Sequence, residues 1–152
     1  MDKQAYFMQY GQLKQMIGND RKAISRLKAS MTDTSAPEIR DTPVQVSPDE
    51  EASFARLLEE IDRLEARVDL EKKLLSTLRA QILILIGSLP PSRYDLMVAR
   101  YISCMKWTEI MEEKYLTKPT VLRWHREILA GLSLPDDAVN VAEELNNLRK
   151  AS

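Results

Sequence analysis

Seven side chains between Lys106 and Arg126 have the chemistry to grip a polyanion: Lys106, Lys114, Thr117, Lys118, Thr120, Arg123 and Arg126. Lysine and arginine neutralise phosphates, the arginine fork matches the two acceptors on the guanine edge, and threonine offers a hydroxyl or a methyl group. A helix turns 100° per residue. With Val121, His125, Ile128 and Leu132 placed inward, Thr120, Arg123, Arg126 and Glu127 point outward. Lys118 stands at the exposed start of the same helix, the end that meets base edges when such a helix enters a groove. Arg123 is therefore the candidate for a bidentate guanine contact, with Thr120 beside it. Arg126, Lys114 and Lys106 are candidates for phosphate. Exposed arginine and lysine occur on every helix surface, so these roles depend on the elements that hold the residues.

Three short helical patterns supply those elements. Tyr94, Met97, Val98, Tyr101 and Ile102 recur at helical spacing, and a turn follows over 103–106. Trp107, Ile110 and Met111 line one face of a second helix, which breaks at 115–118. Thr117 suits a helix N-cap, its hydroxyl accepting from the free amides of the next turn. Pro119 lies in the first helical turn, where a missing amide hydrogen costs nothing. The third helix buries Val121, His125, Ile128, Leu129 and Leu132. Two short helices joined by so short a turn form a helix-turn-helix, whose second member fits a DNA major groove. Trp124 falls at the edge of the apolar face and reads as a packing residue. His125, the only histidine, faces the core and reads as a partnered core residue, since no second metal ligand stands at suitable spacing.

Two long helices precede this module. From Asp2 to about Met31, the residues Tyr6, Tyr10, Leu13, Ile17, Ile24, Leu27 and Met31 keep an alternating four-three spacing, with Asp20 in the one polar slot. Residues 32–47 are rich in Thr, Pro and Asp and read as a linker. Ser47, Pro48 and Glu50 then spell a capping box. In the helix that follows, Phe54, Leu57, Ile61, Leu64, Val68, Leu75, Leu78, Ile82 and Leu85 hold a seven-residue repeat broken only by Glu71. Such a repeat implies coiling around another helix, either the first helix folded back or the same helix of a second subunit. Leu58, Leu70, Leu74, Leu83, Ile84 and Ile86 widen the apolar face toward Gly87, which suggests a bundle of three or more helices there. A charged residue in each seam, Asp20 and Glu71, costs stability and could fix register. After Gly131, Leu134-Pro135-Asp136-Asp137 stops one helix and caps another, and Ala138, Val141, Ala142, Leu145 and Leu148 give an amphipathic tail helix.

Composition sets the outer bounds. With 152 residues, 44% hydrophobic and 30% charged, only four glycines and no alternating strand pattern, the chain predicts an all-α fold. The net charge of −1 argues against indiscriminate coating of nucleic acid. The charge is uneven, however: +4 over 1–31, −3 over 48–88 and +2 over 92–132. Arg21, Lys22, Arg26 and Lys28 crowd the end of the first helix, where the dipole favours cations. Cys104 is the only cysteine, so no intramolecular disulfide forms, which fits a reducing cytosol. The N-terminus lacks the apolar core of a signal peptide, and the run 82–86 is far shorter than the ~20 apolar residues of a membrane span. A cytoplasmic protein without membrane contact is expected. No nucleophile-and-base set and no Gly-rich phosphate loop is placed convincingly, so the chain reads as a binding protein, not an enzyme, with no cofactor and no metal.

The string from Pro91 to Leu129 resembles the fourth region of bacterial sigma factors, which reads the upstream promoter element. The resemblance rests on the Arg100-Tyr101 pair, on Trp107 with Glu109-Ile110 opening the first helix of the motif, and on Thr120-Val121 in the second. More broadly, the layout is similar to phage and prophage regulators of the ArpU and RinA kind, in which a long helical N-terminal half precedes a sigma-like helix-turn-helix. The chain departs from the pattern in carrying Tyr115 where many sigma-type motifs place glycine. No stretch resembles the sigma region that melts the promoter. The resemblance implies a phage-type transcription regulator in a bacterial host cell, binding double-stranded DNA as a homodimer or higher homo-oligomer, with RNA polymerase as a further partner. The expected layout is a helical hairpin or coiled-coil oligomerisation region over 1–88 (linker 32–47), a helix-turn-helix domain over 89–133 and a tail helix over 134–152. Two other classes stay open: a small terminase-type DNA-packaging subunit, and an adaptor that binds RNA polymerase or another regulator without reading DNA.

Overall fold

The seven-residue repeats find their partner inside the chain. A computed structural model describes residues 1–35 and 48–151, and among the described residues every regular element is helical. Helix α1 (Lys3–Ser35) starts at Asp2, whose carboxylate accepts from the Ala5 amide at 3.2 Å. It runs four residues past the end expected near Met31, into the stretch read as linker. Helix α2 (Pro48–Ile86) opens with proline in its first turn and Asp49, Glu50 and Glu51 behind it, where the helix dipole favours negative charge. The rest of the linker, and with it the Ser47 cap, lies outside the described residues. No helix among the described residues is long and apolar enough to cross a membrane.

Contacts divide the chain into two units, one formed by 15–72 and one by 1–14 with 73–152. The expected boundary at residue 88 falls within the second of these. In the unit 15–72, Asp20 meets Arg67 at 3.2 Å and Lys28 meets Glu65 at 3.1 Å. Numbers rise along α1 as they fall along α2, so the two segments are antiparallel. Ile17, Ile61 and Val68 are buried between them, and Ile24, Leu27, Leu57 and Leu64 are half-buried. The seam is thus filled over this stretch by α1 of the same chain. It fades at its outer end, where Phe54 and Leu58 are each 41% exposed. The two polar seam positions, Asp20 and Glu71, meet in the middle with Arg67 beside them.

In the other unit, residues 1–14 and the last turns of α2 scaffold four further helices. These are α3 (Pro91–Met97), continued by a π-helical turn (Val98–Ile102), α4 (Trp107–Lys114), α5 (Lys118–Gly131) and α6 (Val141–Ala151). Tyr6, Phe7 and Leu13 of α1 and Leu78, Ile82 and Ile86 of α2 share full burial with Leu96, Met97, Ile110 and Val121. Here the buried positions of α2, Leu74, Leu78, Ile82 and Ile86, step by four. This carries the buried face around the helix, as a multi-helix core requires and a two-stranded seam does not.

The sequence pattern predicts ordinary α-helix through Ile102, and there the structure differs. The Ser103 amide reaches back five residues to the Val98 carbonyl at 2.9 Å, a wider turn than the α-helix makes. Side chains take the carbonyls at and beyond its end: Lys14 donates to Ile102 at 3.2 Å, and Arg100 to Met105, in the turn that follows, at 3.0 Å. Cys104 follows in the left-handed region at φ 56°. Its sulfur lies 3.3 Å from where a Cβ on Gly11 would stand, so glycine at position 11 lets α1 approach this closely.

The segment before α6 also departs from expectation. Asp136 and Asp137 do not cap the tail helix; Asn140 does, its side-chain oxygen accepting from the Glu143 amide at 3.2 Å. Residues 137–141 are strapped down by two glutamines. Gln81 donates to the Asp137 carbonyl (2.8 Å) and accepts from the Val139 amide (3.0 Å). Gln9 donates to the Val139 carbonyl (2.9 Å) and accepts from the Val141 amide (2.9 Å). Each carboxamide mimics a peptide unit pairing with its neighbour, so the strap's backbone is satisfied without a strand.

Candidate nucleic-acid interface

Helices α4 and α5 and the three residues between them carry all seven candidates or abut them. Tyr115 closes α4 in the left-handed conformation, φ 54° and ψ 42°, the geometry a glycine would supply at a helix C-terminus. The turn therefore keeps the sharp form of a helix-turn-helix despite the side chain, which is 94% exposed and packs on nothing. The Leu116 amide bonds the Met111 carbonyl at 3.0 Å, and Thr117 returns to extended backbone at the N-cap of α5. The expected cap bond is not made. The Thr117 hydroxyl pairs with that of Thr120 at 2.9 Å, which leaves the first amides of α5 without a side-chain acceptor. Pro119 stands in the first turn, as its missing amide hydrogen allows.

Of the candidates, Lys106, Thr117, Lys118, Arg123 and Arg126 are exposed, and Lys114 and Thr120 are half-buried. Val121, His125 and Ile128 face the core, so the inward assignment of α5 holds and Arg123 lies on the opposite side. Lys106 precedes α4 on extended backbone at its N-cap position. The structure thus brings Thr117, Lys118, Thr120, Arg123 and Arg126 together on α5 and its cap, and sets Lys106 and Lys114 at the two ends of α4.

One contact divides the outer face of α5. Arg93 of α3 forms an ion pair with Glu127 at 2.8 Å and lays its guanidinium over the Trp124 ring, 5.5 Å from the centroid. The edge of α5 that carries Trp124 and Glu127 is therefore the one α3 engages, through Arg93. The side that runs through Pro119, Leu122, Arg123 and Arg126 is left open. Sequence reasoning placed Trp124 and Glu127 correctly but had no means of finding Arg93, which lies a helix away.

Beneath this face an aromatic cluster fixes the orientation of α5. The Tyr101 hydroxyl and His125 Nε2 are hydrogen-bonded, and their rings stack at 5.8 Å between centroids. Trp107 meets the other side of His125 edge-on at 4.9 Å, and Arg100 covers Trp107 at 4.5 Å. Phe7 of α1 closes the row against Tyr101 at 5.2 Å. Burial pushes the Tyr101 phenol up to about 12, and burial with the nearby Arg100 charge holds His125 below its usual range. Tyr101 therefore stays a phenol and His125 a neutral ring near neutral pH, as a stacked and hydrogen-bonded core pair requires. The π-helical turn delivers Arg100 and Tyr101 to these partners, which gives the Arg-Tyr pair a structural role in holding α5.

A scan against protein-family models, a search of curated proteins and a search of solved structures each find no match to this chain.

Proposed function

We propose that this chain is a sequence-specific DNA-binding protein of the phage transcription-regulator type, with α5 as its recognition helix and no catalytic activity. The observation that carries the reading is the open side of α5. It presents Arg123 and Arg126, with Lys118 at its exposed start, opposite a core locked by the Tyr101–His125–Trp107 cluster. A rigid helix offering an arginine fork and flanking cations beyond a sharp turn suits entry into a major groove. In this reading Arg123 takes a guanine edge with Thr120 and Thr117 nearby, Lys118 enters the groove at the helix start, and Lys106, Lys114 and Arg126 hold phosphates. The fit to a sigma-like module is supported by the left-handed turn at Tyr115, which reproduces what glycine provides in that pattern.

Assembly as a homodimer or higher oligomer remains part of the proposal, since helix-turn-helix proteins commonly read paired half-sites. In this reading the outer end of α2, where Phe54 and Leu58 stay exposed, is available to such a contact, while the rest of the seam is occupied by α1. The functional test is selection of bound fragments from random double-stranded DNA, followed by sequencing. The reading expects enrichment of a short motif. Binding without enrichment favours a packaging-type subunit, and no binding at low salt favours an adaptor that uses this face against a protein such as RNA polymerase.

A further inference from the structure

We infer that Leu122 is a specificity-determining residue that reads the 5-methyl group of a thymine in the major groove. The inference rests on the DNA-binding reading above and deepens it. Leu122 is the one large aliphatic side chain of α5 that remains exposed, at 42%, whereas Val121 and Ile128 are buried and Leu129 is half-buried. Its place on the helix matters more than its exposure, since single exposed leucines are common. Lys118, Leu122 and Arg126 stand at four-residue intervals and so form one stripe, with Arg123 alongside. That stripe belongs to the side of α5 that α3 leaves open, because Arg93 engages the other edge through Glu127 and Trp124. Alone, an exposed leucine is ordinary on a solvated face; here it stands in one stripe with Lys118 and Arg126. It is in place in a major groove, where phosphates line the walls and the thymine methyl is the apolar group projecting from the floor. The neighbouring cations hold the helix in the groove, and Leu122 then covers the methyl and removes both from water.

The test replaces thymine by deoxyuridine, one position at a time, in a duplex obtained by selection. This removes the methyl group and keeps every hydrogen-bonding atom. The wild-type protein should lose about three- to five-fold in affinity at one position, the scale of burying a single methyl or methylene group. Leu122→Ala should bind the thymine duplex that much more weakly and be indifferent to deoxyuridine at that position. Leu122→Gln, which keeps length but not apolarity, should behave like the alanine variant. Thermal melts of both variants exclude a folding defect. The inference is overturned if the wild type senses no deoxyuridine, or if Leu122→Ala still senses it at the same position. Were no duplex enriched in the first place, the sequence-specific reading of α5 would fall, and this inference with it, an outcome distinct from specific binding that ignores the methyl.

Discussion

Tyr115 shows what a single residue can cost and why the cost is tolerated. A side chain in the left-handed region loses roughly 1–2 kcal/mol to the clash of its Cβ with the carbonyl, and this one recovers nothing through packing, being 94% exposed. Glycine would relieve the clash and give back roughly 0.5–1 kcal/mol in lost chain entropy. Tyr115→Gly is therefore expected to stabilise the protein by about 0.5–1 kcal/mol, read as a higher denaturant midpoint at unchanged slope. A destabilised variant would mean that the phenol makes a contact its exposure does not reveal. The residue scale also shows where sequence was enough. Val121, His125 and Ile128 announce the inner face of α5 by spacing alone, and that fixes Arg123 outside. It was not enough for Thr117, because a hydroxyl one turn away competes with the amides, and local spacing cannot rank the two.

At the scale of elements, both long helices were legible from their repeats. Their meeting point was not, since a repeat records that a helix has a partner and not which one. Asp20 and Glu71 each interrupt a seam, and the structure puts them together with Arg67, whose Nε is 3.2 Å from Asp20 and 3.5 Å from Glu71. Glu71 is fully buried, and neither of its oxygens meets a hydrogen-bond donor in good geometry. Burial, then the adjoining Asp20 carboxyl, pushes Glu71 up to about 8, with Arg67 pulling the other way. The folded state thus keeps a proton that the unfolded chain releases at its ordinary value near 4.5. The contribution is fully present below that value and is lost as pH rises through about 8. The unit 15–72 should therefore loosen on the alkaline side, with amide exchange along its helices rising between pH 5 and 9 beyond the intrinsic chemical rate. Glu71→Gln keeps the neutral shape and should flatten that dependence. An equally steep profile in the glutamine variant would place the proton elsewhere. The π-helical turn and the glutamine strap had no sequence signal of comparable strength, because a π turn differs from an α turn by one unpaired residue. Gln9 and Gln81 reveal their role only once residues 137–141 lie beside them.

For the molecule as a whole, the uneven charge acquires a structural meaning. Within the unit 15–72, the acidic stretch of α2 meets the basic end of α1 through Lys28–Glu65, and Asp20–Arg67 pairs the two helices in the opposite sense. Part of the basic excess of α1 is thereby engaged within the chain. The cations of α5, Lys118, Arg123 and Arg126, are turned to solvent. The expected all-α architecture is the one observed, and the helix-turn-helix was legible because its breaks and inward faces are local. The packing of the first fourteen residues against that module was not, since it joins segments about a hundred residues apart. Leu78→Lys would force a charge into this core and is expected to unfold it. The central claim is that α5 reads sequence, and the most direct measurement is a binding titration on a selected duplex and on random DNA, at two salt concentrations. Arg123→Ala should cost about 1–3 kcal/mol on the selected duplex and relax preference at one base pair, with little change in stability. Lys106→Ala should weaken both DNAs alike and lower the salt slope by about one. Arg123→Ala binding both DNAs as the wild type does, with sequence preference intact, would contradict the assignment of α5 as the reading helix.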